Sequence, residues 1–379
     1  MHDMIGVHYS EIALKGQNRG YFEKSLRQNV RRMLKGEECS IESVHDRILI
    51  RLLPGANEKS IGEKLQCVFG ISHFYPAFSC GKSIEEIGLK AREIFQQVPK
   101  DKTFKVKSSR ADKKFPIDSQ ELNRRLGEIF YNDGYTVDVK KPDVTLHVDI
   151  IKDFALVYTE KTACYGGMPV GTSGKVVVLF SGGIDSPVAS WYAMKRGCRP
   201  VYVHFHAMRS NADAAKSKIG RLVQSLCRYS GRAKLYLVPY DTFQVSCASD
   251  YELVVFRRFI NRVAEKIAAL EGAKVLVTGE SIAQVASQTL DNMAAIEEAV
   301  KIPIIRPLAG MNKDEIIAKA EEIGTYELSL GDYKDCCSIV SRHPRTKANL
   351  EKIKADEEKM NIEKLAEETL AQAEMYIFD

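Results

Sequence analysis

The sequence predicts an α/β protein in which two small α+β units precede a larger domain built on a parallel sheet. Three observations carry this prediction. At 379 residues the chain exceeds what one ordinary hydrophobic core organises. Its first 165 residues mix alternating strand-like stretches with amphipathic helical ones, whereas the chain beyond residue 174 repeats strand and helix in turn, the signature of a parallel sheet covered on both faces. Between the two lies "YGGMPVGTSGK", Tyr165 to Lys175, rich in glycine and small residues. The expected domains are therefore residues 1–59, 60–165 and 175–379, with a linker over 166–174.

In the first unit "MIGVHYS" alternates like a strand, and "NRGYFEKSLRQNVRRML" sets Phe22, Leu26, Val30 and Leu34 on one helical face. "RILIRLL" is a second strand, stopped by Pro54 and Gly55. The second unit offers the helix "SIEEIGLKAREIFQQV", the strand "TFKVKSSRA", the helix "DSQELNRRLGEIFYNDG" with Asp118 as its cap, and the strands "VTLHVDI" and "FALVYTEK". In the third, the strands are "KVVVLF", "PVYVHFHA", "AKLYLVPY", "AKVLVTGE" and "IPIIRPLAG", and the charged tail from Asn349 to Asp379 reads as helical without strands.

Bulk properties narrow the class. Apolar residues make up 45% and charged ones 28%, and no run of eighteen apolar residues occurs. The start "MHDMIGVHYSEIALKG" lacks a basic region followed by an apolar core, so no membrane association and a cytoplasmic location are expected. The nine cysteines show no metal-like paired spacing; only Cys336 and Cys337 are neighbours. Residues 1–172 hold 27 Lys and Arg against 23 Asp and Glu, and the rest 28 against 27, so the net charge of +5 sits mostly in the first half. Its densest cluster is Lys105, Lys107, Arg110, Lys113, Lys114, Arg124 and Arg125, a candidate nucleic-acid surface.

The chemistry begins at "KVVVLFSGGIDSPVASWYAMKRG", Lys175 to Gly197. An apolar strand breaks into Ser181-Gly182-Gly183-Ile184-Asp185-Ser186 and resumes at helical spacing. In an open parallel sheet this strand-end turn is where anionic ligands bind. Gly182 and Gly183 let backbone N–H groups converge on a phosphate, and Ser181 and Ser186 add hydroxyls. The loop is neither Gly-x-x-x-x-Gly-Lys-Ser/Thr nor Gly-x-Gly-x-x-Gly. It carries Asp185, which would repel phosphate unless Mg2+ lies between them. A metal-binding acid without a phosphate-gripping lysine suits release of pyrophosphate from ATP better than phosphoryl transfer.

"SGGIDS" resembles the PP-loop of the ATP pyrophosphatases, which adenylate a carbonyl oxygen and let a nucleophile displace AMP. More of the chain is similar to the ThiI family of tRNA uridine 4-sulfurtransferases: "HYSEIALKGQNRGYFEKSL", "GMPVGTSGKVVVLFSGGIDSPVA", "VTGESIAQVASQTLDNM", "PIIRPLAGMNKDEI" and "DYKDCCSIVSRHPRTKA". The resemblance implies a ferredoxin-like domain, then a THUMP domain that holds RNA, then a PP-loop domain of the adenine nucleotide alpha hydrolase-like type. It implies ATP and Mg2+ as cofactors and tRNA as partner, with the basic cluster on the THUMP domain. The ATP contacts it implies are Leu179, Phe180, His204, Phe205, Arg257, Gly279 and Gln288, beside the cradle Ser181, Gly182, Gly183 and Ser186. Strand-end backbone groups would read adenine, a Phe would stack on it, Arg257 would neutralise phosphate, and Gly279 would let the nucleotide approach.

The catalytic residues implied are Asp185, as metal ligand and adenylation residue, and Cys337, with neighbouring Cys336 as the alternative sulfur-handling thiol. Some family members carry a rhodanese domain with a persulfide cysteine. This chain ends at Asp379 without one, so a separate persulfide donor, such as a cysteine desulfurase or a rhodanese, is expected. The family's secondary role in thiamine biosynthesis and assembly as a homodimer are also implied.

Overall fold

The computed structural model describes residues 2–44, 47–112, 115–246, 249–333, 336 and 345–379. The chain forms two compact units, residues 1–167 and 168–379.

The first unit is one continuous sheet shared by two helix-covered halves. Its elements are β1 (Met4–Tyr9), α1 (Arg19–Met33), β2 (Cys39–Val44), β3 (Arg47–Leu52), α2 (Glu58–Gln66), β4 (Ile71–Cys80), α3 (Ile84–Phe95), β5 (Thr103–Arg110), α4 (Ser119–Asn132), β6 (Thr136–Val137), β7 (Val144–Ile150), β8 (Ala155–Tyr158) and β9 (Thr162–Ala163). The strand order is β2-β3-β1-β4-β8-β7-β5-β6, with β9 also on β4. The ten-residue β4 joins the halves, because residues up to Ala77 pair antiparallel with β1 while Phe78, Ser79 and Cys80 pair with β8.

Each half has its own core on the helix side: Ile5, Val7, Leu26, Val30, Ile48, Ile50, Ile61, Leu65 and Phe74 in the first, and Phe95, Phe104, Leu122, Leu126, Phe130, Leu146 and Val157 in the second. Ile61 and Leu65 of α2 thus belong to the first core, and the boundary expected after residue 59 falls inside the first turn of a helix that closes that core. Asp118 caps α4 as expected, accepting from the Glu121 N–H at 2.8 Å.

On the opposite side of the sheet, Arg47 of the first half meets Asp149 of the second at 2.5 Å, and Tyr75 and Tyr158 donate to the same carboxylate at 2.8 and 3.3 Å. Burial pushes the Asp149 carboxyl up, but Arg47, with Ser109 and Tyr75, outweighs it and leaves the group below the usual carboxylate range. Gly6 is required here, since a Cβ would fall 2.3 Å from the Tyr75 ring.

The second unit is a six-stranded sheet, order β14-β13-β10-β11-β12-β15. β10 (Lys175–Leu179), β11 (Arg199–His206), β12 (Ala233–Pro239), β13 (Leu276–Val277) and β14 (Ile304–Ile305) run parallel, as the alternation of strand and helix predicts. The helices are α5 (Asp185–Lys195), α6 (Asn211–Lys216), α7 (Lys218–Ser230), α8 (Asp241–Ser246), α9 (Glu252–Glu271), α10 (Leu290–Glu297), α11 (Lys313–Glu322), α12 (Tyr326–Leu330), α13 (Leu350–Lys359) and α14 (Ile362–Ala371).

The tail corrects the expectation of an all-helical end. After α13 and α14, β15 (Glu374–Phe378) pairs antiparallel with β12, Ala233 opposite Phe378 through Leu237 opposite Glu374. Glu-Met-Tyr-Ile-Phe favours strand, but five residues after a long charged helical run give too short a period to stand out; the open edge of β12 supplies the hydrogen bonds.

Candidate active site

β10 lies between β11 and β13, so the chain leaves its carboxyl end where consecutive strands diverge to opposite sides, the place where open α/β sheets form their ligand crevice. From Leu179 the chain passes through Phe180, whose N–H donates to the Val203 carbonyl at 2.9 Å, and turns through Ser181–Ile184 into α5. Ser186 closes this turn. Its Oγ accepts from the Ser181 N–H at 3.0 Å and donates to the Ser181 carbonyl at 3.0 Å, while the Gly183 N–H donates to Ser181 Oγ at 3.3 Å. The first-turn N–H groups of the eleven-residue α5 leave the same end of the sheet, an anion-binding terminus.

The glycines have protein neighbours that sequence reading does not reveal. A Cβ at Gly182 would lie 3.0 Å from Lys218 Cε and 3.1 Å from the Tyr333 ring. A Cβ at Gly279 would lie 2.8 Å from both the Asp185 carbonyl carbon and the Ser186 nitrogen. Gly279 thus lets the chain after β13 press against the start of α5, so the close approach it permits is first of all to protein backbone.

Five of the expected nucleotide contacts, Leu179, Phe180, His204, Phe205 and Arg257, line one pocket together with Val203, Phe256, Ile260 and Cys336. The His204 imidazole is buried and fully occupied: Nδ1–H donates to the Phe180 carbonyl at 2.7 Å and Nε2 accepts from the Tyr333 hydroxyl at 2.6 Å. The carbonyl can only accept, which sets this tautomer for the neutral ring. Cys336 is 2% exposed and its thiol donates to the Phe205 carbonyl at 3.3 Å. Gln288 lies outside this pocket, in the short turn Ala286–Gln288, with its Oε1 buried and without a hydrogen-bond partner among the described residues. Cys337 lies outside the described residues.

Asp185 opens α5 with its side chain 23% exposed. Gln284 Nε2 donates to Oδ2 at 3.1 Å and Lys313 Nζ to Oδ1 at 2.6 Å. Sequence reasoning missed both. Lys313 is the first residue of α11, whose start is set by a reciprocal cap in which Asn312 and Glu315 bond each other's backbone N–H at 2.9 and 2.8 Å. "NKDE" could have flagged a helix start carrying a lysine, but nothing local ties it to Asp185. No group of three or more His, Cys, Asp or Glu that could hold a metal occurs among the described residues. A magnesium ion needs no such cage; it is ordinarily held by one or two carboxylates plus substrate phosphates, and Asp185 beside an anion-binding turn fits that donor set.

The described members of the basic cluster expected on RNA differ in what holds them. Lys105 and Lys107 lie on the same side of β5, in register with Thr145 and His147 of β7. Arg110 is turned to its own loop, donating to the Phe115 and Ile117 carbonyls at 3.3 and 2.8 Å. Arg124 and Arg125 hold Glu121 at 2.8 and 2.6 Å, and in that order bring its carboxyl down to about 2. Lys113 and Lys114 lie outside the described residues. No helix among the described residues is long and apolar enough to cross a membrane.

Comparison with known proteins covers nearly the whole chain. The family described as thiamine biosynthesis protein (ThiI) matches residues 171–362, the ThiI ferredoxin-like domain residues 4–75, and the THUMP domain residues 81–160. A protein of Natranaerobius thermophilus, named "Probable tRNA sulfurtransferase", is 40% identical over 399 residues, covering 100% of this chain and 97% of that one. One of the same name from Brevibacillus brevis is 38% identical over 383 residues, covering 99% and 96%. The structure of a 4-thiouridine synthetase in complex with RNA and bound ATP superposes with a TM-score of 0.89 at 35% identity, covering 100% of both chains.

Proposed function

The chain belongs to the ThiI family, and on that premise we propose that it is an ATP-dependent tRNA sulfurtransferase that makes 4-thiouridine in tRNA. The observation that carries the reading is the constellation at the end of β10: a serine-closed glycine turn, a helix N-terminus and a pocket lined by Leu179, Phe180 and Phe205, with Asp185 between Gln284 and Lys313. ATP binding and a tRNA partner accord with the ATP- and RNA-bound relative.

In the first step the uridine O4, at position 8 by the family resemblance, attacks the α-phosphorus of ATP and pyrophosphate leaves. The pocket of Leu179, Phe180, Phe205 and Arg257 would take the adenine side, and Ser181, Gly182, Gly183 and Ser186 the phosphates. Arg257 has the charge to offset phosphate; Lys313, beside Asp185, can follow the departing pyrophosphate. Magnesium, when bound with ATP at Asp185, supplies the positive charge that lets a carboxylate and phosphates share the turn.

In the second step the terminal sulfur of a persulfide attacks C4, AMP departs with the former O4, and a thiol cleaves the remaining S–S bond, forming a disulfide. We assign that thiol to Cys337. Cys336, buried and donating to the Phe205 carbonyl, serves as wall of the adenine-side pocket. The persulfide comes from a separate donor, a cysteine desulfurase or a rhodanese, and the enzyme works in the cytoplasm with its tRNA, as a homodimer if one subunit's N-terminal unit presents tRNA to the other's loop. A further part in thiamine biosynthesis rests on the family's name alone. Uridine must be turned out of its stack to reach the turn, which gives the RNA-holding unit its use; Lys105 and Lys107 are its first candidates.

The test is incubation with ATP, tRNA and free sulfide, followed by nucleoside analysis for 4-thiouridine. Thiolation that requires ATP and is lost in Asp185→Ala, with tRNA binding retained, is expected. ATP-dependent amidation of another substrate, or tRNA binding with no thiolation, would sink the reading.

A further inference from the structure

The segment after β13 holds an unusual backbone. Ala283 has φ +62°, one of two non-glycine residues with positive φ among the described ones. That conformation is unfavourable for an alanine and persists only where surrounding contacts impose it. Here they do. The Ala283 N–H donates to the Gln288 carbonyl at 2.9 Å, and the Gln284 N–H to the Ser281 carbonyl at 3.3 Å. The Ile282 N–H donates to the Ala309 carbonyl at 3.1 Å, and Ser281 Oγ to the Met311 carbonyl at 2.8 Å. Ala309 and Met311 lead directly into Asn312 and Lys313. The strained turn that presents Gln284 and the helix start that presents Lys313 are therefore strapped together, and the two residues hold the two oxygens of one carboxylate.

We propose that Gln284 is a positioning residue for adenylation: it fixes the orientation of the Asp185 carboxylate when Lys313 leaves it. The asymmetry of the two partners carries this. Lys313 has a long flexible stem, is 42% exposed on its side chain, and bears the charge that phosphate attracts. Gln284 is neutral, half-buried and held by a pinned backbone, so incoming phosphates give it no reason to move. With Lys313 drawn to the nucleotide, Gln284 would keep the Asp185 carboxylate in place, so that it could hold a metal bound with ATP. The inference rests on the reading of Asp185 as the metal-side carboxylate.

The experiment compares Gln284→Leu, Gln284→Met and Asp185→Asn with the unmodified chain in tRNA-dependent pyrophosphate release and in calorimetric ATP binding with and without Mg2+. Loss of a partner that orients a metal-binding carboxylate ordinarily costs about 10–100-fold. Both Gln284 variants should lose kcat by that factor, the mark of an interaction needed in the transition state. Both should lose the Mg2+-dependent gain in ATP affinity while metal-free ATP binding, tRNA binding and thermal midpoint are kept. Gln284→Met decides against a packing role, because it keeps the length, bulk and neutrality of the side chain and removes the N–H donor. Unmodified kcat and Mg2+ dependence in Gln284→Met would overturn the proposal, as would a rise in KM alone. If Asp185→Asn is fully active, the reading of Asp185 fails instead; if it is inactive while the Gln284 variants are normal, only the positioning role fails.

Discussion

Asp185 and Lys313 stand 128 residues apart in the chain and 2.6 Å apart in space. One opens the helix after the glycine turn, the other opens the helix after β14, and both helices start at the carboxyl end of the sheet. A cation so placed balances the acid before ATP arrives and is then free to act on the phosphates. We predict that Lys313→Ala lowers tRNA-dependent pyrophosphate release by about 100-fold, the usual cost of removing one donor to developing charge. Its tRNA affinity, read by filter binding, should stay unchanged. Equal loss of tRNA binding would assign Lys313 to the RNA instead.

Gly279 yields a prediction on packing. A methyl group there would sit 2.8 Å from backbone atoms of Asp185 and Ser186, which cannot yield as a flexible side chain could. Gly279→Ala should lower unfolding stability by about 1–3 kcal/mol, the range for overpacking a filled site, and weaken ATP binding by displacing the start of α5. A thermal melt and an ATP titration check both. An unchanged melt with weakened ATP binding would mean that the glycine serves only the nucleotide.

The two cysteines should separate by substrate. Cys337→Ser is expected to stop turnover driven by a persulfide donor and to spare turnover with free sulfide, measured as 4-thiouridine per tRNA. Cys336→Ala removes a buried thiol from the pocket wall and should raise KM for ATP several-fold, about 1 kcal/mol of lost packing, with either sulfur source. If Cys336→Ala alone abolished the persulfide reaction, the assignment would reverse.

The first unit should lose stability in mild acid. Burial, with the Arg47 charge next, brings His8 down to about 4, and burial, with Lys161 next, does the same for His147. Both rings are neutral when folded at pH 7, whereas in the unfolded chain they take up protons near 6.5. Unfolding therefore binds protons below that pH, so the contribution present above about 6.5 is lost as pH falls towards 4. Thermal midpoints of residues 2–167 within the full chain, followed from pH 7 to 4, should fall, and His8→Gln with His147→Gln should flatten the slope. A slope unaffected by the pair would place the titrating groups elsewhere.

How much of this was legible in the sequence depended on the length of each signal. The strand–turn–helix at Ser181–Ser186 stands out because an apolar run, two glycines and a helical period meet within a dozen residues. The fifteen residues of α1 repeat their apolar face often enough to be read, whereas the nine of α2 do not, and the boundary set after residue 59 is displaced accordingly. β15 escaped for the same reason, its five residues trailing a charged helical tail. The basic cluster was legible as charge, but not that Arg110 turns to its own loop or that Arg124 and Arg125 hold Glu121, because those partners are chosen in the fold.

The phosphate turn, the alternation that makes a parallel sheet and, through the family resemblance, the reaction class are all legible along the chain. Each is written in local spacing or in long stretches of similar residues. That Gln284 and Lys313 share the Asp185 carboxylate, that Gly279 is needed by the backbone of Asp185 and Ser186, and that Cys336 faces the pocket of Leu179 and Phe205 emerges only once the chain is folded. The reason is physical: a parallel sheet needs long crossovers between neighbouring strands, so the loops that meet at its carboxyl end come from distant parts of the chain, and no local pattern records which side chains will touch.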